Sequence, residues 1–371
     1  MKKIILILIA FLIAIPTFAQ KYVFTPDIDL TTTAVKSQGN TGTCWSFSTS
    51  SFVESEIKRL SGLDVAVSEM YFVRNTYTVK AWNYVMRQGK AQFSEGGLAH
   101  DVTNAINQFG IVPRNAFTGL LNGQKSYDHG EMFTLLKTTL DDFIKSDDKS
   151  NSDDWQAAIN TTLNTYMGKN PLTFVYNGTI YTPYTFAELT KFNPADYVSI
   201  ASFKQQPFYS KFILNIPDNF SNGQFYNVPL EDMIAVINKA LANGFTVSFD
   251  VDVSEPTFSS KNGVAILPLN ADDNTKSLTE IVPEQEVTQN SRQKAFESYV
   301  TTDDHLMHIT GTVKDQKGNI YYKVKNSWGS NLANGGYVYM SEAFAKMKII
   351  SVMVHKDALD KELKKKLNIK D

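Results

Sequence analysis

A single cysteine among 371 residues excludes any internal disulfide, so no covalent staple closes a loop. Other shortages narrow the field further. The formal net charge is only −2, which leaves no basic field for nucleic acid or an anionic membrane surface. Histidine is scarce, with five in all, so any imidazole chemistry has few candidates. No internal repeat and no low-complexity tract stands out. What remains, 43% hydrophobic and 20% charged residues, is ordinary for a folded protein of one large or two smaller domains.

The one long apolar run is N-terminal. Met1-Lys2-Lys3 is a positive n-region, Ile4 to Ile15 an apolar core and Thr17-Phe18-Ala19 a small-residue cleavage site. Together they predict a signal peptide over 1–19, cut after Ala19 or Gln20. The chain is then secreted or periplasmic, with no membrane span once the signal is removed. Export sharpens the question of the cysteine. A free thiol outside the cytoplasm is a liability unless it works, although a lone cysteine can equally be a small buried hydrophobe. Roughly two dozen residues separate the cleavage site from Cys44, too few for an independently folded pro-domain.

After Cys44, Val53, Ile57 and Leu60 form one apolar stripe of a helix that Gly62 ends. Glu54 and Lys58 are spaced for an i,i+4 pair on another face. Further helices are expected from about Ser68, from Leu98 to Phe109 ending at Gly110, and from Pro229 to Asn243 with the proline at the first helical position. Ser146 to Asp154 reads as a surface loop. Phe245 to Val251 alternates as a half-buried strand. Beyond His305 strands dominate: His305 to Val313, Ile320 to Val324 across an Asp315–Asn319 turn, and Tyr337 to Met340 after Gly335-Gly336. Lys361 to Lys366 reads as a solvated helical tail. Helices first and strands second predict an α+β fold of two facing lobes.

The segment Gln38-Gly39-Asn40-Thr41-Gly42-Thr43-Cys44-Trp45 has the composition of a nucleophile site. A thiol opening a helix feels the positive end of its macrodipole, and a nearby imidazolium lowers its pKa further. The result is a thiolate–imidazolium pair. Gln38, six residues earlier, can aim its amide at a substrate carbonyl oxygen. With the Cys44 backbone N–H it forms an oxyanion hole, worth about 3 kcal/mol per donor. Downstream, His305 and His308 both lie in Asp304-His305-Leu306-Met307-His308-Ile309-Thr310-Gly311. Three residues apart on a strand, they face opposite sides, so only one can meet Cys44.

Gln-Gly-x-x-Gly-x-Cys-Trp resembles the nucleophile motif of papain-like cysteine peptidases, and Asn326-Ser327-Trp328-Gly329 resembles their asparagine motif. The missing disulfide cysteine points to the aminopeptidase C and bleomycin hydrolase group. The 261 residues from Cys44 to His305 agree, since short papains have about 130–150 there. Insertions are expected at about 126–227 and 270–290, within one peptidase domain over 20–371. The resemblance implies that His305, with Gly311 six positions on, is the base and acid, and that Asn326 orients it. It implies that Trp328 shields their hydrogen bond beside the substrate, and that Gly96 and Gly97 pair with the substrate backbone. His308 is left as a hydrogen-bonded structural or surface histidine. It also implies peptide or protein substrates and no cofactor or metal, and leaves a homo-oligomer open. In that group the C-terminal arm fills part of the cleft and its carboxylate meets the substrate amine. The tail here is short and lacks the apolar, proline-containing end, so an open cleft with endopeptidase action is the alternative expectation. A non-catalytic peptide-binding relative is the other rival. A transglutaminase-like acyl transferase is disfavoured by Gln38 and the Asn-Ser-Trp-Gly motif.

Overall fold

The computed structural model describes residues 21–121, 123–147 and 152–370; the stretch 1–19, expected to be a signal peptide, lies outside them. The chain begins with β1 (Thr25–Asp29), then α1 (Cys44–Ser61), α2 (Glu69–Met86), α3 (Ala99–Phe109), α4 (Gly130–Lys145) and α5 (Ser152–Met167). A small hairpin, β2 (Phe174–Tyr176) and β3 (Thr179–Tyr181), leads to α6 (Pro183–Thr190), β4 (Tyr197–Ala201), β5 (Lys211–Ile213) and β6 (Gln224–Asn227). There follow α7 (Leu230–Ala242), β7 (Val247–Val251), β8 (Phe258–Ser259), β9 (Val264–Ala265), α8 (Asn274–Ser277) and α9 (Gln289–Glu297). The chain closes with β10 (His305–Lys314), β11 (Ile320–Lys325), β12 (Tyr337–Ser341), α10 (Glu342–Lys348), β13 (Ile349–His355) and α11 (Lys361–Lys366).

The expected two-lobed α+β arrangement is found. Trp45, Phe52 and Val53 of α1 join residues of α2–α6 in one core. Residues of α7, β7, β10–β13, α10 and α11 form the other. Among the described residues an 11-stranded sheet runs β5-β6-β4-β13-β7-β10-β11-β12-β9-β8, with β1 added on β10. This sheet ties the expected 126–227 insertion, through β4–β6, to the strand that begins with His305.

Helix α1 is buried along its length from Cys44 to Ile57. Its apolar side chains enter the helical core. Thr49 and Ser51 meet the strands, where short side chains allow close approach: Thr49 Oγ1 lies 3.3 Å from Ser248 Oγ, and Ser51 Oγ lies 2.9 Å from His308 Nδ1. Burial on that side also undoes the expected Glu54–Lys58 pair. Glu54 is buried and binds Lys36 Nζ at 2.7 Å and the Val67 N–H at 2.9 Å, while Lys58 faces Asp64. Gly62 ends the helix in the left-handed region, at φ 76°.

Other differences follow from packing. Strand β7 is buried on both faces, between α1 and the second core, so it is not half-buried. Pro229 caps α7 from outside and Leu230 is its first residue. The polar stretch after Lys145 turns helical again at Ser152. The tail is only partly solvated: Leu363 and Leu367 are buried in the core shared with α7 and Ile369 packs against it. That core lies on the opposite side of β7 and β10 from α1. Gly311 is needed where β1 crosses β10, since a Cβ there would fall 1.9 Å from the Ile28 carbonyl oxygen.

Candidate active site

Cys44 is the first residue of α1 and is buried where the lobes meet. The N-cap residue Thr43 gives the helix no side-chain cap; its hydroxyl lies 2.6 Å from Thr41 Oγ1. The first-turn N–H groups are therefore not satisfied by a capping side chain, and the dipole end stays available. Trp45 turns into the helical core and donates Nε1–H to the Glu95 carbonyl at 3.0 Å, which fixes the Glu95-Gly96-Gly97 loop. Gly97 lies against the Trp45 ring.

His305 opens β10 opposite Val251 of β7. Its Nε2 is 2.8 Å from Asn326 Oδ1, and the same Oδ1 accepts the Ser327 N–H at 2.7 Å. That second bond fixes which end of the amide faces the ring, so His305 Nε2 carries a proton and Nδ1 is left as the acceptor in neutral imidazole. The Trp328 ring sits 4.8 Å from the His305 ring, centroid to centroid. The next backbone N–H, that of Leu306, hydrogen-bonds to the Cys44 sulfur.

Gln38 is buried beside them. Its Oε1 accepts from Ser327 Oγ at 2.6 Å, and its Nε2 donates to the Thr41 carbonyl at 2.7 Å. A primary amide has two N–H groups, so one remains for a substrate oxygen. His308 points to the other face of β10, as the alternation predicts. It is fully buried against Ser51 and Phe52, a structural histidine.

The electrostatics differ from the sequence expectation. Burial pushes the Cys44 thiol up to about 12; the Leu306 N–H opposes this, and the carboxylates of Asp218, Asp303 and Asp250 reinforce it. Burial likewise pushes His305 down to about 4, against the Asn326 bond and the charge of Asp304. Each lone charge is thus disfavoured here.

Gly96, expected to pair its backbone with substrate, is itself closely surrounded. Lys80 Nζ donates to its carbonyl oxygen, and Asp218 covers the side from which a Cβ would project. Sequence reasoning passed over Asp218, Asp250 and Asp303. The available signal was Asp250, a carboxylate inside the otherwise apolar Phe249–Val251 strand.

A model of the Peptidase C1-like family matches residues 84–371. The match begins downstream of Cys44, so the nucleophile segment is placed by its motif and geometry. Aminopeptidase C of Listeria monocytogenes serovar 1/2a is 24% identical over 381 residues, spanning 90% of this chain and 83% of its own. Aminopeptidase C of Lactococcus lactis subsp. cremoris is 23% identical over 374 residues, spanning 90% and 83%. The crystal structure of PepW from Lactobacillus rhamnosis HN001 superposes with a TM-score of 0.72 at 20% identity, covering 93% of this chain and 84% of that one. The fold is shared.

Proposed function

The chain belongs to the Peptidase C1-like family, and from that premise we propose that it is a cysteine peptidase of aminopeptidase C type, with Cys44 as nucleophile, His305 as base and acid, Asn326 as the positioning residue and Gln38 as oxyanion donor. The observation that carries this reading is the buried His305–Asn326 hydrogen bond, 2.8 Å long, with the adjacent Leu306 N–H at the Cys44 sulfur.

His305 Nδ1 takes the Cys44 proton as the sulfur attacks the scissile carbonyl carbon. The carbonyl oxygen becomes an oxyanion, received by the Cys44 N–H and the free N–H of Gln38 Nε2. The imidazolium then gives its proton to the leaving amine nitrogen as the C–N bond breaks, leaving a thioester on Cys44. Water attacks that thioester, His305 accepting its proton, and the released sulfur regains one. Asn326 Oδ1 holds the ring throughout and stabilises its charged form. Trp328 keeps water from that bond, and Gly97 lies at the floor of the cleft.

The test uses the intact mature protein. A thiol-directed epoxide should label Cys44, and free-amine fluorogenic peptides should be hydrolysed. Cys44→Ala should lose both, with kcat down about 10⁴-fold or more. Near-wild-type hydrolysis by folded Cys44→Ala protein would end this reading. We also propose export, carried by the Met1–Ala19 pattern; N-terminal sequencing of the protein recovered from its native cells should begin at Gln20 or Lys21.

A further inference from the structure

Three carboxylates converge on the Cys44 side of the cleft with too few donors to satisfy them. We propose that Asp218, Asp250 and Asp303 together receive an ammonium group of the peptide substrate. The proposal rests on the cysteine peptidase reading and adds what that peptidase selects.

Each acid is placed by the fold. On β7, Ser248 meets Thr49 of α1, so the same face, two residues on, turns Asp250 towards α1. The Cα partner of Asp250 across the sheet is Leu306, whose N–H is at the Cys44 sulfur. Asp303 lies two residues before His305 and accepts the backbone N–H of Asp218. Asp218 lies on the connection between β5 and β6. Its Oδ1 is held by Gln92 Nε2 at 2.9 Å and Ser94 Oγ at 3.2 Å, while its carboxylate lies over Gly96.

The unmet demand points to a cation. Asp250 is 1% exposed, yet neither of its oxygens receives a hydrogen bond from a donor among the described residues, and Asp303 Oδ2 is in the same position. The two carboxyls instead face each other and share the proton that burial keeps on the pair; a bound ammonium group takes that proton's place. An unpaired buried carboxylate is costly. The nearby cations do not meet the need. Lys80 donates to the Gly96 carbonyl and forms no ion pair among the described residues. Arg292 spends its N–H groups on the carbonyls of Ser202, Lys346, Met347 and Ile350.

An ammonium group fits better than a metal ion. Among the described residues no three His, Cys, Asp or Glu side chains are grouped to hold a metal, whereas –NH₃⁺ offers three donors that can reach separate acceptors. In a peptide attacked at its first carbonyl, the α-amine lies about 2.5 Å from the attacked carbon. A lysine one residue earlier could bring its side-chain ammonium to the same carboxylates. With the Gly96 carbonyl engaged and one side covered, an extended substrate strand has little to pair with beyond this point. A cleft of about 360 Å³ opens beside Asp303 between Ile216, Pro217, Phe296 and Tyr299, with room for an apolar side chain.

The experiment compares wild type, Asp218→Asn and Asp303→Asn on two matched pairs of coumarylamides: alanyl against N-acetylalanyl, and N-acetyl-Lys-Ala against N-acetyl-norleucyl-Ala. The proposal expects wild type to favour the charged member of at least one pair. It expects each variant, with Tm retained, to reduce that preference in kcat/KM at least tenfold, mainly through KM. A loss confined to the first pair identifies the α-amine, and one confined to the second identifies a lysine side chain. Preferences within twofold of wild type in both variants would overturn the proposal. Alkylation of Cys44 separates this from failure of the peptidase reading. Even if no peptide is cut, alanine amide should protect Cys44 better than N-acetylalanine amide in wild type but not in Asp218→Asn. Equal protection in wild type within this pair, and also between N-acetyl-Lys-Ala amide and N-acetyl-norleucyl-Ala amide, overturns the ammonium site by itself.

Discussion

Replacing Asn326 by alanine isolates what positions the histidine. Asn326 is buried, and its Oδ1 accepts both the His305 Nε2–H at 2.8 Å and the Ser327 N–H at 2.7 Å. Alanine leaves both donors without that acceptor, and each buried orphan costs about 1–3 kcal/mol. Stability should therefore fall by about 2–4 kcal/mol, read as a lower denaturation midpoint. The catalytic loss is smaller and distinct. Only the extra strength of the bond to charged imidazolium over neutral imidazole enters the barrier, about 1–2 kcal/mol. That is about a 5–30-fold drop in kcat, with KM little changed. Asn326→Asp provides the contrast, because it keeps an acceptor of similar size and adds a negative charge. The His305 pKa, now held down at about 4 by burial, should rise, and the acid limb of kcat/KM should move to higher pH. Both variants are assayed on one free-amine fluorogenic peptide from pH 4 to 8, with folding followed in parallel. An unchanged kcat in folded Asn326→Ala protein would refute the positioning argument.

The two histidines of β10 should separate cleanly: His305→Ala abolishes epoxide labelling of Cys44, whereas His308→Ala retains it but lowers stability by about 2–4 kcal/mol through the cavity and the loss of the Ser51 contact, Ser51 keeping only Lys325, and the opposite pattern in intact-mass labelling would reassign the base. Burial raises the Asp250 pKa well above its ordinary value, so the folded state keeps a proton that the unfolded chain releases, and stability falls as pH rises above about 4. Asp250→Asn should therefore be more stable than wild type at pH 8, by on the order of 1–3 kcal/mol, with the gain fading towards pH 4 in urea titrations; a gain independent of pH would count against a proton held there. Gly311→Ala should destabilise by about 2–4 kcal/mol, since its Cβ would collide with the Ile28 carbonyl and push β1 off β10; a Tm within a degree of wild type would show that β1 contributes little.

The local signals carried far in this sequence. Helix α1, its glycine stop, α3 and the strands after His305 could be read from periodicity and turn residues, because those elements bury one consistent face. The place of Cys44 at the start of α1 and the pairing of His305 with Asn326 were legible because each lies in a short, recognisable motif. What could not be read was long-range. The burial of both faces of β7, the diversion of Glu54 to Lys36 and the docking of Leu363 depend on elements far away in sequence. The ionisation state of the thiol belongs to the same class. Helix polarity argues from Cys44 outward, but burial and three distant acids set the opposing direction. Asp218 and Gly96 are 122 positions apart, and no periodicity relates them.

The connection from β5 to β6 gives this architecture a separable selector. Strands β5 and β6 pair as an antiparallel hairpin, β6 is bonded to β4 and β4 to β13, so the stem is anchored in the framework that carries His305. Its tip, bearing Asp218, reaches across to the opposite lobe at Gln92, Ser94 and Gly96. Exchanging residues 214–223 would thus alter what the cleft admits while leaving the bond-breaking atoms on α1, β10 and the Asn326 turn untouched. That tip is thus a single short segment an engineer can exchange as a cassette.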